Sequence, residues 1–168
     1  MYKILFFLCF FSTFLLFGNE KYDCVYRKNT KTDILKKYPF HISGKIIWVS
    51  WKSDGKERPK TIKNFTADSI NWQSFADTIS IDSADKKMLA DILFNYKYRV
   101  KGNYDLSASC YIPRDAILFL DKNEKLIDYL EVCFECTGYR LMTEKWKPDF
   151  CDDKFEMLEK YRNIIFKE

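Results

Sequence analysis

The spacing of apolar and polar residues separates strands from helices along this chain. The stretch "HISGKIIWVSW" (41–51) is dense in β-branched and aromatic side chains and reads as a strand. The following "KSDGKERPK" carries an Asp54-Gly55 turn signal, and its Pro59 keeps the next residues off a central strand. A short strand near Thr78–Ile81 leads into "DSADKKMLADILFNY". There Asp82 can cap a helix and Asp85 can answer it three residues on, while Met88, Leu89, Ile92, Leu93 and Tyr96 form one apolar stripe at helical spacing. Further on, Ala116–Leu120 and Leu126–Phe134 flank the polar run Asp121-Lys122-Asn123-Glu124-Lys125, the pattern of a β-hairpin. Its first strand is apolar on both faces and should be central. Its second strand alternates, with Leu126, Asp128, Leu130, Val132, Phe134 and Cys136 on one face. Ile127, Tyr129, Glu131, Cys133 and Glu135 occupy the other, which reads as the wetter one.

The chain closes with "DFCDDKFEMLEKYRNIIFKE". Asp152 and Asp153 suit a helix start, and Lys160, Arg162 and Lys167 suit its end. Phe155, Leu158, Tyr161 and Ile165 make the buried stripe, with Glu156 and Lys160 paired on the surface. The sum is an α+β domain, in which a small antiparallel sheet with a central hairpin (about 116–134) packs against two helices (about 83–97 and 152–166).

The opening "MYKILFFLCFFSTFLLFG" changes where that domain belongs. One positive charge, Lys3, precedes an apolar run from Ile4 to Phe17, too short for the roughly 20 residues that span a bilayer. This is the layout of a secretory signal peptide over residues 1–18, and it predicts an exported protein, periplasmic or secreted. Leu16-Phe17-Gly18 is an imperfect cleavage site, so the alternative is an uncleaved anchor, the one route by which the chain would meet a membrane. Cys9 lies inside the apolar core and Cys24 follows Lys21-Tyr22-Asp23, so neither has the small-residue setting of a lipid-modified cysteine. Residues 19–168 suffice for a single domain with its own core, with no repeats and no linker to divide them.

The net charge is +4, one unit of it from Lys3, and lysines and acids are interspersed with no block of like charge. Nucleic acid is therefore not an expected partner. Trp48, Trp51, Trp72 and Trp146 read as core or sheet-face residues rather than a sugar platform. Asn64-Phe65-Thr66 matches a glycosylation sequon that matters only in a eukaryotic secretory route.

Three stretches, "CYIPRDAILFLDKNEK", "YLEVCFEC" and "DFCDDKFEMLEKY", occur in an order that resembles a family of small exported bacterial proteins of uncharacterised activity. Its members carry a Cys-aromatic-x-Pro-Arg element, a hairpin, a Cys-Phe-x-Cys strand and a late Phe-Cys-Asp-x-Lys helix start. The resemblance runs from about Leu89 to the C-terminus and implies a fold neighbourhood and a residue set, but no reaction. Asp115 stands where the family commonly has His, and Glu124 where it usually has a turn Gly. Any role that His serves elsewhere is lost here.

Candidate chemistry centres on cysteine. The predicted mature chain holds Cys24, Cys110, Cys133, Cys136 and Cys151, and export makes disulfides the default reading, with one thiol over. Folding the hairpin about Asn123-Glu124 sets Cys110 opposite position 136 or 137 and suggests a Cys110–Cys136 bridge, leaving Cys133 for Cys151, Cys24 or nothing. A zinc site on Cys110, Cys133, Cys136 and Cys151 is the metal alternative, but in a regular strand positions 133 and 136 point to opposite faces. Only a bend beginning at Cys136 would gather those sulfurs. A redox pair is the third reading; Glu131 and Glu135 flank Cys133 and oppose its thiolate, and a direct 133–136 bond would favour it. Arg114, near the open end of the hairpin, could pair with Glu131 or Glu135, or contact an anionic ligand in a small cleft. His41, the single histidine, precedes a strand and has no catalytic company. The pattern favours a non-enzymatic exported domain that binds or acts in the envelope. Zinc binding or thiol chemistry is the alternative; no cofactor is expected otherwise, and no substrate or partner is specified.

Overall fold

A computed structural model describes residues 23–29, 33–51, 70, 72–100 and 111–167. The signal segment, the Asp54-Gly55 turn with Pro59, the sequon at Asn64 and Cys110 lie outside the described residues. The elements in chain order are β1 (Cys24–Tyr26), β2 (Lys45–Trp51), β3 (Phe75–Ser80), α1 (Ser83–Asn95), β4 (Tyr96–Tyr98), β5 (Asp115–Leu120), β6 (Leu126–Cys133), β7 (Gly138–Leu141) and α2 (Asp153–Phe166). A 3-10 turn at Ile34–Lys36 precedes β2, and another at Trp72–Ser74 precedes β3. The fold is α+β, with a two-stranded antiparallel sheet β1-β4 and a five-stranded antiparallel sheet ordered β3-β2-β5-β6-β7.

The central position of β5 follows from its composition, because all six of its residues are buried. Each face of such a strand must meet apolar partners. Ile117 and Phe119 point to the helical side, where Ile46, Trp48, Leu130 and Val132 join Leu89, Leu93, Phe155, Leu158 and Tyr161 in the larger core. Ala116, Leu118 and Leu120 point the other way and meet Ile47, Val49, Trp51, Phe75, Leu126 and Tyr129 in a second core. The face of β6 expected to be wetter is thus buried: Tyr129, Glu131 and Cys133 are all covered. Period-two alternation assigned the two faces of its middle residues, but polarity misjudged which side meets water. Leu126 departs from the expected face because the register shifts between Phe119 and Leu120, which sets it opposite Leu120.

Helix α1 starts as its sequence dictates. The Asp82 carboxylate accepts from the N–H groups of Ala84 and Asp85 at 2.8 Å each, satisfying two of the four free donors at the helix start. Its buried positions are Leu89, Ala90, Ile92, Leu93 and Asn95. Met88, assigned to the buried stripe, is exposed, and Tyr96 has left the helix to begin β4. The buried Asn95 side chain makes the transition, accepting from Asn29 N–H at 3.0 Å and donating to Asp91 at 2.6 Å. Helix α2 buries Phe155, Leu158, Tyr161 and Ile165 as its periodicity predicts, together with Lys154. Asp152 makes no side-chain cap; Asp153 accepts instead from Cys24 N–H at 3.1 Å. Three of the four tryptophans are core residues, whereas Trp72 is exposed with its ring edge-on to Phe75.

Candidate functional site

The cysteine arrangement differs from the hairpin-based expectation. Cys133 bonds Cys136, and Cys151 bonds Cys24. The proposed Cys110–Cys136 and Cys133–Cys151 bridges are therefore corrected. The physical reason is where β6 stops: it ends at Cys133, and residues 134–137 form a turn that returns the chain as β7. Thr137 takes the left-handed conformation there, at φ 44°. Residues 133 and 136 are not three steps along one strand but lie on either side of a bend, with Cα atoms 5.6 Å apart. The second bond links residues 127 apart and fastens β1 to the start of α2. Among the described residues no group of three or more His, Cys, Asp or Glu side chains is arranged to hold a metal ion. Zinc on the four later cysteines would require both bonds to open.

Cys133 borders a cleft of about 170 Å³ where β5 begins and β6 ends. Its lining includes Ile112 and Arg114 before β5 with Asp115 at its start, Cys133 at the end of β6, Phe134 and Glu135 from the turn, and Glu159 and Arg162 from α2. Asp115 is its most tightly held polar group. Its Oδ1 accepts from the Trp48 indole N–H at 2.9 Å, the Ser50 hydroxyl at 2.5 Å and the Arg162 guanidinium at 2.9 Å. Register explains this convergence, since Ser50 pairs directly with Asp115 across β2 and β5 and Trp48 lies two residues along on the same face. Arg162 reaches over from α2, its guanidinium 4.9 Å from the Phe166 ring centre. Charge-assisted bonds in this partly enclosed place are stronger than neutral ones.

Arg114 stands at the rim. Its Nε lies 3.5 Å from Glu135, both side chains being largely exposed, and a pair so placed contributes about 0–1 kcal/mol. Of its two candidate acids it takes Glu135. The other, Glu131, is fully buried on β6 and lies 3.6 Å from Arg140 of β7 while accepting from the Tyr111 hydroxyl at 3.3 Å. Burial and the Glu131 carboxylate together push the Tyr129 hydroxyl up to about 12. His41 is exposed and edge-on to Tyr38, away from this cleft.

Two features had no strong sequence signal. Asp115 and Arg162 lie 47 residues apart and meet only because α2 crosses the start of β5. The turn at 134–137 had a faint mark in Gly138, the first residue of β7, which the strand reading overrode. No family model, curated protein or solved structure matches this chain in comparisons with known proteins.

Proposed function

We propose that this chain is an exported, disulfide-stapled domain that works by binding, using the cleft between the start of β5 and α2. The observation that carries the export half of the reading is the pair of disulfides, Cys24–Cys151 and Cys133–Cys136. Such bonds persist in oxidising compartments and are rare in reducing ones. The signal-like residues 1–18 and the order of the three motifs, which resembles small exported bacterial proteins, support the same reading. Among the described residues no helix is long and apolar enough to cross a membrane.

The binding half rests on the cleft. At about 170 Å³ it is below the usual span of small-molecule sites. It suits a small polar group or one side chain of a partner better than a whole cofactor. Its walls present Arg114 and Arg162 against Asp115, Glu135 and Glu159, so neither sign of charge dominates. A group offering both a donor and an acceptor, such as an amino acid or an exposed peptide end, matches that lining.

Export is tested by the intact mass of the protein from its native envelope, which should place the N-terminus near Asn19. A mass including residues 1–18 with recovery in the membrane fraction would replace export with anchoring. Binding is tested by thermal shift of the mature chain against amino acids, small carboxylates and small amines. The expected result is stabilisation by one class, lost in Arg114→Ala. Failure of every class to shift wild type would remove the cleft from consideration.

A further inference from the structure

Beyond binding, we propose that Cys133–Cys136 is a reversible dithiol–disulfide pair that exchanges with thiol compounds at the turn between β6 and β7, while Cys24–Cys151 is a permanent staple. Three observations carry this. The first is loop size: one bond joins cysteines three apart, the other cysteines 127 apart. A disulfide stabilises chiefly by restricting the unfolded chain, more so for longer loops, so opening the short one sacrifices little of the fold. The second is the frame around the short bond. Backbone pairing of Cys133 with Gly138 and of Val132 with Tyr139 holds β6 and β7 in register without help from the sulfurs.

The third is an asymmetry of exposure. Cys133 is buried, 3% exposed, whereas Cys136 is only partly covered on the turn. An incoming thiolate therefore reaches Cys136 first. Attack on Cys136 Sγ forms a mixed disulfide and breaks the bond to Cys133, which leaves as a thiolate. Cys133 Sγ lies 3.4 Å from the Ile112 carbonyl oxygen, so that once protonated from solvent its thiol has an acceptor in place. A second thiol of the donor then attacks the donor sulfur of the mixed disulfide and releases Cys136. The donor, a dithiol, leaves oxidised by two electrons and the protein is left with two thiols; a disulfide compound reverses every step. The charged groups lining the cleft beside Cys133 are Arg114 with Glu135, Arg162 with Asp115, and Glu159, and Glu131, two residues before Cys133 on β6, lies beside Arg140. Their near balance leaves access to Cys136, rather than a strongly activated thiolate, as the basis of selectivity.

The experiment uses the oxidised mature chain, titrated with dithiothreitol, quenched by alkylation and mapped by peptide mass. Cys133 and Cys136 should take the label at dithiothreitol concentrations that leave Cys24–Cys151 intact and the circular dichroism unchanged. Opening of both bonds together, or of the 133–136 bond only in denaturant, would overturn the proposal. Two variants test the direction of attack with oxidised glutathione. Cys133→Ser, which leaves the Cys136 thiol, should form the mixed disulfide at that residue roughly tenfold faster than Cys136→Ser forms it at Cys133. Equal rates, with both variants folded, would overturn the assignment of Cys136 as the entry sulfur.

Discussion

Lys154 donates from its Nζ to the carbonyl oxygen of Leu93 at 3.0 Å, so the first turn of α2 closes the last turn of α1. The same ammonium donates to the Asp149 carbonyl and lies 5.4 Å from the centre of the Phe150 ring. Free carbonyls at a helix end need such a donor. The geometry makes one fully buried lysine a clamp between the two helices, three residues past the stapled Cys151.

Burial pushes the Lys154 amine down to about 7, with Lys97 adding to the fall and Asp149 opposing it. An unfolded lysine titrates at about 10.4. Below about 7 the amine is protonated in both states and the cost of burying its charge is fully present. As pH rises from there towards the unfolded value, the unfolded chain binds more protons than the folded one, and stability increases. The gain is about 1.4 kcal/mol for each unit separating the two values. The stability difference between wild type and Lys154→Met should therefore move in favour of wild type as pH is raised across this window. Urea melts at several pH values measure it, and a flat difference would mean that the clamp keeps an ordinary ammonium.

The two disulfides should contribute unequally. In the chain-entropy model, closing the long loop between Cys24 and Cys151 stabilises by about 5 kcal/mol and closing the short one by about 2 kcal/mol. Cys24→Ser should accordingly lower the melting temperature well below that of the double change Cys133→Ser with Cys136→Ser. Non-reducing peptide maps should link 24 to 151 and 133 to 136.

Asp115 anchors β2, β5 and α2 at one oxygen. Asp115→Ala takes the acceptor from the buried Trp48 N–H and the carboxylate from Arg162, a loss of about 3–5 kcal/mol. Asp115→Asn keeps an acceptor oxygen and should lose less. Combining Asp115→Ala with Arg162→Met should cost less than the sum of the single changes, because the two groups are in contact. Chemical denaturation of the four proteins completes the cycle, and additive losses would show that the ion pair does not couple the helix to the sheet.

What could be read from the chain divides along physical lines. The apolar stripe of helix α2 was legible because Phe155, Leu158, Tyr161 and Ile165 repeat at helical spacing against a charged background. Strand β5 was legible as central because the apolar run Ala116–Leu120 leaves no wet face. By contrast β1, β4 and β7 are three or four residues long, too short to show a period. The disulfides were misassigned because pairing depends on where β6 ends, and nothing in its alternation marks that end. Lys154 hid for another reason: a lysine in a first helical turn reads as solvated, and only the partner carbonyls of Leu93 and Asp149 reveal otherwise.

The hairpin turn between β5 and β6 offers a paired test of close approach and backbone conformation. The Asp121 carboxylate accepts from Asn123 N–H at 2.7 Å and Lys125 N–H at 2.9 Å, which folds the turn tightly. Gly44 passes so near that an added Cβ would lie 2.8 Å from the Lys122 Cα and N, backbone atoms that cannot swing aside. Gly44→Ala should therefore cost about 1–3 kcal/mol, the range for forcing atoms into a filled space. Glu124 sits in the same turn at φ 60°, a conformation that costs a side chain about 1–2 kcal/mol and glycine nothing comparable. Its carboxylate makes a pair with Lys45 at 3.1 Å, but both side chains are exposed and the pair contributes about 0–1 kcal/mol. Glu124→Gly should stabilise by about 1 kcal/mol or slightly less, since relief of the backbone exceeds the lost pair and is offset in part by the freer unfolded chain. Lys45→Ala isolates the ion pair in the same urea melts. A Glu124→Gly protein that melts earlier than Lys45→Ala would mean that residue 124 does not hold the left-handed conformation in solution.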